Sequence, residues 1–232
     1  MKHLAVLLIA TLAAVTTACG TRNPSDSAVI PPGKIMDFNF LYARNCSGCH
    51  GPNGTGGAAI GLGDPVYLAI ADDAIIRRVT ADGVAGTSMP AFAQRSGGIL
   101  TDDQIDVIIH GIRTRWAKPD TLRDANAPPY AAQGPGDPKR GATAYGVYCS
   151  SCHGPDGHGS KASSIVDPAY LDLVSDQGLR TTIIVGRPEL GAPDWRGDVA
   201  GKAMSPDEIS DVVAWLATQR PQISAQVTGG NR

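Results

Sequence analysis

Cys46-Ser47-Gly48-Cys49-His50 returns as Cys149-Ser150-Ser151-Cys152-His153, and both copies run on into Gly-Pro, then Asn or Asp, then Gly. Two thiols three positions apart with an imidazole directly after them suit covalent haem attachment. Each thiol can add across a haem vinyl group, and the histidine can bind the iron from one side. The pattern predicts two haems c, held by Cys46 and Cys49 and by Cys149 and Cys152, with His50 and His153 as iron ligands. A redox CxxC would follow a β-branched strand in a βαβ unit, and neither copy does. A zinc ribbon would pair its CxxC halves across a short loop, whereas positions 46 and 149 lie 103 apart. Neither alternative explains a histidine after both pairs.

The same offset of 103 carries far beyond the motif. Asp64-Pro65-Val66-Tyr67-Leu68 lands on Asp167-Pro168-Ala169-Tyr170-Leu171, Ile76-Arg77 on Leu179-Arg180, Gly83 on Gly186, Pro90 on Pro193 and Phe92 on Trp195. After one inserted residue, Thr101 joins Ser205, Ile105 joins Ile209, and Ile108 and Ile109 join Val212 and Val213. The chain is a duplicated domain. Each copy is small for an independent core and gains from a large rigid apolar cofactor at its centre. The 28 Gly and 17 Pro suit loops wrapped round such a group between a few helices.

The elements that must position these residues read as helices. Asp37 to Cys46 forms the leading helix that delivers the first motif, and Asp72 to Thr80 forms a second. Thr101-Asp-Asp-Gln104 is a capping box opening a helix to about Trp116, with Ile105, Ile108, Ile109 and Ile112 on one face. Ser205-Pro206-Asp207-Glu208 is a stronger version, followed by an inner stripe of Ile209, Val212, Val213 and Leu216. Between the copies, Lys118 to Asp137 holds Pro119, Pro128, Pro129 and Pro135 and reads as an extended, semi-rigid linker. The expected organisation is a signal peptide over 1–18, a tether over 19–34, haem domains over 35–117 and 138–221 flanking the 118–137 linker, and a tail over 222–232.

Met1-Lys2-His3 followed by the apolar run Leu4 to Val15 has the form of a secretory signal, too short to span a bilayer. Of five cysteines, four belong to the motifs. Cys19, in Thr17-Ala18-Cys19-Gly20, resembles the lipidation site of a bacterial lipobox, although Thr16 stands where an aliphatic residue is usual. The other reading is ordinary cleavage near Ala18 with one free thiol. The expected location is outside the cytoplasm, on the periplasmic side of a bacterial membrane, with the protein lipid-anchored through Cys19. The chain has 20 Lys and Arg against 22 Asp and Glu, and loss of Lys2 with the signal leaves a net charge near −3. That balance offers no basic footprint for nucleic acid, so partners are sought among redox proteins.

From about residue 36 to 220 the chain resembles the class I cytochrome c family, in particular its tandem di-haem bacterial members. The resemblance rests on CxxCH after a first helix, a Met-Pro in the distal loop and a terminal amphipathic helix. It implies an all-α fold of two small helical domains, each wrapped round a haem, and single-electron transfer in the cell envelope. In the first domain it makes Met89, in Ser88-Met89-Pro90, the distal iron ligand. The chemistry agrees: a thioether stabilises ferrous iron and so raises the potential. The plainer reading of Met89 is a core side chain filling a gap.

The second domain departs from the pattern at that position. The offset puts Ala192 where Met89 stands, and alanine cannot coordinate iron. Met204 is the one methionine downstream; it aligns with Leu100, which suggests a core hydrophobe, and it remains a candidate ligand beside His158, Lys202 as a neutral amine, and water or an open site. Three functions stay in view. The leading one is a di-haem electron carrier rather than an enzyme. The second is an enzyme with peroxide, a sulfur compound or a gas at an open haem 2, for which no convincing distal histidine is present. The third is a fixed subunit of a membrane respiratory or photosynthetic complex. Asp194 and Arg196 near the missing ligand read as a surface ion pair, His110 as an exposed or edge residue, and Trp116, Trp195 and Trp215 as core or haem-edge aromatics.

Overall fold

Nearly every helix of the chain starts on a side chain that accepts its first free N–H groups. In the computed structural model, which describes residues 29–123, 125–197, 199 and 201–221, this holds for eight of ten α-helices. Asp37 caps α1 (Phe38–Asn45), Asp64 caps α3 (Pro65–Ile70), Asp72 caps α4 (Asp73–Asp82) and Thr101 caps α5 (Asp102–Trp116). Asp137, Asp167, Ser175 and Ser205 do the same for α6 (Pro138–Tyr148), α8 (Pro168–Leu173), α9 (Asp176–Val185) and α10 (Pro206–Thr218). The two uncapped helices, α2 (Ser47–His50) and α7 (Ser150–His153), are single turns that continue directly from α1 and α6. Each cap contributes on the order of 1 kcal/mol. Both predicted capping boxes close, Thr101 with Gln104 and Ser205 with Glu208.

The order α1-α2-α3-α4-α5 recurs as α6-α7-α8-α9-α10, and no strand occurs among the described residues. The fold is all-α, with two tandem helical domains of the same element order. The signal segment, Cys19, part of the tether and the tail lie outside the described residues. The chain divides into the units Met1–Ile35 and Met36–Arg232, the first contributing one described 3-10 turn, Pro32–Lys34. Among the described residues no helix is long and apolar enough to cross a membrane.

In each copy the leading helix crosses the terminal one, and the two crossings solve the same packing problem in opposite ways. In the first, Phe38 of α1 sits on Gly111 of α5, where a Cβ would lie 2.0 Å from the phenyl ring. In the second, the matching positions are Gly141 on α6 and Trp215 on α10, and a Cβ on Gly141 would lie 2.0 Å from the carbonyl oxygen of Asp211. The bulk has moved from one helix to the other, so close-packed volume is kept while the sequence match is lost.

Two arginines brace the terminal helices. Arg113 donates to the carbonyls of Leu68 and Ala71 and pairs with Asp73. Arg220 donates to the corresponding carbonyls of Leu171 at 3.2 Å and Val174 at 3.0 Å and pairs with Asp176 at 2.6 Å. The two do not occupy matching positions in the repeat. Arg220 reaches the same three groups from three residues farther along.

The segment over 118–137 is packed. Pro128 is fully buried, and the carbonyls of Pro129 and Tyr130 accept from the buried guanidinium of Arg180, with Nη2 to Pro129 at 3.0 Å and Nε to Tyr130 at 3.1 Å. Pro128 and Pro129 bring no N–H of their own, and at this point the segment's carbonyls take their donors from Arg180.

Asp211, 4% exposed on α10, gathers the start of the second domain. It accepts from the Asp137 backbone at 2.6 Å and from Arg140 Nε and Nη2 at 2.7 and 2.8 Å. Chiefly through the Arg140 hydrogen bonds, its carboxyl is held below the ordinary carboxylate range. A depressed folded pKa gives stability that is present above the unfolded value and is lost as pH falls through the folded one. In thermal melts, Asp211→Asn is therefore expected to melt below the parent at neutral pH. The gap should close as pH drops below about 4. A gap that persists at low pH would show that the charge contributes nothing.

Candidate haem sites

Cys46, Cys49 and His50 stand at i, i+3 and i+4 of one helical turn, since His50 N donates to Cys46 O at 3.0 Å, and so they share a face. Cys149, Cys152 and His153 repeat this, with His153 N to Cys149 O at 3.0 Å. Ser47 and Ser150 hold the turns by donating to Ala43 O at 2.8 Å and Gly146 O at 2.7 Å.

Each histidine is aimed by a carbonyl ten residues on. His50 Nδ1 lies 2.8 Å from Ile60 O, and His153 Nδ1 lies 2.7 Å from Ser163 O. With the proton committed to Nδ1, the Nε2 lone pair is left for a metal. Burial holds His50 below the usual imidazole pKa, which keeps it in the neutral form a ligand requires. Burial, then the neighbouring thiol, pushes Cys46 up to about 12 and Cys149 up to about 11. A thiol used in disulfide exchange is shifted the other way, whereas addition to a vinyl group uses the S–H hydrogen and the sulfur together. The donor set thus fits a haem c in both copies.

Sequence reasoning missed a tyrosine behind each motif. Tyr42 donates its hydroxyl to Gly51 O at 3.0 Å, and Tyr145 donates to Gly154 O at 2.5 Å, in each case to the residue after the histidine. Trp116 packs edge-on against Tyr42 at 5.1 Å between centroids, and Trp215 packs against Tyr145 at 4.3 Å. Tyr42 and Tyr145 obey the repeat offset, and that was the available signal.

The distal loops share one backbone and differ in one side chain. Gly83 ends α4 at φ +68°, and a Cβ there would lie 2.8 Å from Met89 O; Gly186 ends α9 at φ +72°, with Pro193 O 2.4 Å from its would-be Cβ. Only glycine allows both the turn and the approach. Val84 N then donates to Met89 O at 3.0 Å, and Arg187 N to Ala192 O at 2.9 Å. Half-buried Met89 is held at its other end by its N–H to Thr87 Oγ1 at 3.1 Å. Ala192 therefore occupies the structural place of Met89, as the offset implied.

The other candidates lie elsewhere. Met204 is 7% exposed and its N–H donates to Trp195 O at 2.8 Å, the same bond that Leu100 makes to Phe92 O at 2.8 Å. Lys202 sits with Nζ 5.3 Å from the centroid of the Tyr148 ring. His158 is exposed in the loop after α7. Asp194 and Arg196 form an ion pair, His110 is exposed on α5, and Trp195 is buried with the Arg196 guanidinium 4.8 Å over its ring.

The family model described as cytochrome c oxidase, cbb3-type, subunit III matches the chain twice, over 34–123 and 136–216. A cytochrome bc1 complex cytochrome c subunit of Mycobacterium bovis is 25% identical over 98% of this chain and 78% of its own length. The cbb3-type cytochrome c oxidase subunit FixPc of Rhizobium leguminosarum is 36% identical, over 40% of this chain and 31% of its own length. Among solved structures, a chain of the Kuenenia stuttgartiensis reducing HAO-like protein complex superposes with a TM-score of 0.47 at 15% identity, covering 79% of this chain and 96% of that one. With both copies matched by one model and both folded round the same donor set, the chain belongs to the family of cytochrome c oxidase, cbb3-type, subunit III, and is a tandem c-type cytochrome with two covalently bound haems.

Proposed function

We propose that the protein passes single electrons between redox proteins in a bacterial cell envelope, with the two haem sites of one chain acting in series. The observation that carries this reading is that the full proximal arrangement, thiol pair, aimed histidine and tyrosine brace, is built twice within Met36–Arg232. When bound, a haem supplies a reversible one-electron couple. Cys46 and Cys49 hold the first and Cys149 and Cys152 the second. His50 and His153 would ligate the irons through Nε2, which their Nδ1 bonds leave free, and Met89 would supply a thioether to the first. Ile60 O and Ser163 O hold the two imidazoles in one orientation and would do so in either oxidation state. The remaining task of the polypeptide would be to hold these side chains still, so that little rearranges on reduction.

Relatives named as subunits of a bc1 complex and of a cbb3-type oxidase support a place beside a membrane respiratory complex, either docked or as a tethered shuttle. A secretory signal over 1–18 and a lipid on Cys19 would put the chain there. Potentiometric titration of the purified holoprotein, followed by rapid mixing of the reduced protein with an oxidised small c-type cytochrome, tests the reading. Two separate one-electron steps and fast exchange are expected. Intact haems that exchange with no protein partner would overturn it.

One observation favours a second reading. Ala192 presents a methyl group on a backbone that elsewhere presents a thioether, and Met204 is occupied where Leu100 stands in the other copy. An iron held by His153 alone on the protein side would bind small ligands such as carbon monoxide, nitric oxide or peroxide.

A further inference from the structure

Arg187 reaches from the second haem domain into the first, beside the packing of α3 on α9. It opens the distal loop of the second domain, where the first domain has Val84. Its backbone exchanges two hydrogen bonds with Ala192, N to O at 2.9 Å and O from N at 3.1 Å. Its side chain leaves the domain. Nη2 donates to Gly57 O at 2.6 Å and Nη1 to Ala58 O at 3.3 Å, while Nε pairs with Glu189 at 2.6 Å.

The segment it holds is the one that shapes the first site. Ala59 N donates to Cys49 O at 2.9 Å, and Ile60 O receives the His50 Nδ1 proton. One side chain, 18% exposed, therefore links the support of His50 and Cys49 to the loop that carries the distal position of the second site. A planar guanidinium can serve two adjacent carbonyls and a carboxylate at once, and an ammonium on a flexible stem cannot hold that fork. Nothing in the repeat demands the contact, because Val84 offers no donor at the matching place. This contact is head-to-tail, joining the distal loop of one copy to the motif loop of the other.

We propose that Arg187 is a positioning residue that sets the separation and orientation of the two haems for electron passage between them, an inference that rests on the electron-transfer reading. An electron moving across leaves one iron oxidised from ferrous to ferric and the other reduced from ferric to ferrous. No bond breaks and no proton moves.

The test uses the full holoprotein with Arg187→Gln and Arg187→Lys. Pulsed EPR on the oxidised forms reads the distance distribution between the irons. Inter-haem equilibration after a pulse of reductant reads the electron passage. Arg187→Gln is expected to broaden the distribution and slow equilibration several-fold while each haem keeps its optical spectrum. Arg187→Lys keeps the charge and should not restore either. A glutamine variant with the parental distribution and rate overturns the proposal, and so does full rescue by lysine, which would make charge rather than the fork responsible. An unaltered protein with one sharp inter-iron distance and no exchange between its haems would sink the electron-transfer reading instead, with the distance arm still deciding the role of Arg187.

Discussion

Met89→Ala is expected to take the first haem out of its six-coordinate low-spin state, remove the weak near-infrared sulfur-to-ferric-iron band, and lower the midpoint potential of that haem alone. The size follows from what the ligand does. A thioether favours ferrous iron, and axial ligands as a class move haem potentials over ~0.8 V, so the loss should be a sizeable part of that range. The protein supplies its own control for folding. Alanine already stands at the matching place in the second domain, on a loop closed by the same bond, Arg187 N to Ala192 O at 2.9 Å against Val84 N to Met89 O at 3.0 Å. The bond from Met89 N to Thr87 Oγ1 is also made by the backbone and survives the change. An unaltered near-infrared spectrum and potential would reject Met89 as a ligand.

The reciprocal change has the second largest effect. Ala192→Met puts a thioether on the backbone that Gly186 and Arg187 hold against the end of α9. The second haem should become low spin, lose its ability to bind carbon monoxide in the reduced form, and rise in potential. Met204→Leu is the companion variant. It places in the second domain the residue the first already has at Leu100, and the backbone bond from position 204 to Trp195 O, which matches that of Leu100 to Phe92 O, survives the change, so both haem spectra should stay as they are. If the parent already resists carbon monoxide at both haems and Met204→Leu turns the second high spin, Met204 is its ligand and the protein is a pure carrier. If the parent binds carbon monoxide at one haem and Ala192→Met abolishes it, the open-iron reading holds.

Much of this molecule is legible in the chain because its chemistry is local. A thiol pair and an imidazole at i, i+3 and i+4 need one turn of helix, and one turn is decided by adjacent residues. The predicted leading helix, second helix and terminal helices match α1, α4, α5 and α10 closely, since their caps lie within three residues of the N–H groups they satisfy. The short helices α3 and α8 were not foreseen, although Asp64-Pro65 and Asp167-Pro168, a cap followed by a proline in the first turn, mark both starts. The duplication itself, and the alanine at the missing ligand, needed only a constant offset.

The two haem motifs, the repeat, the helices with their caps and the asymmetry between Met89 and Ala192 are thus all written in local or periodic patterns of the chain. Which groups meet across the offset depended on the packed fold. It set Phe38 on Gly111 in one copy and Gly141 under Trp215 in the other, and it gave Arg113 and Arg220 the same three partners from different positions. It also packed the proline segment onto Arg180 and carried Arg187 across to Gly57 and Ala58. The physical reason is that packing conserves volume and hydrogen bonding conserves donors and acceptors, and neither requires a particular residue at a particular place. A long side chain reaching a carbonyl 130 residues away leaves no local pattern in the chain.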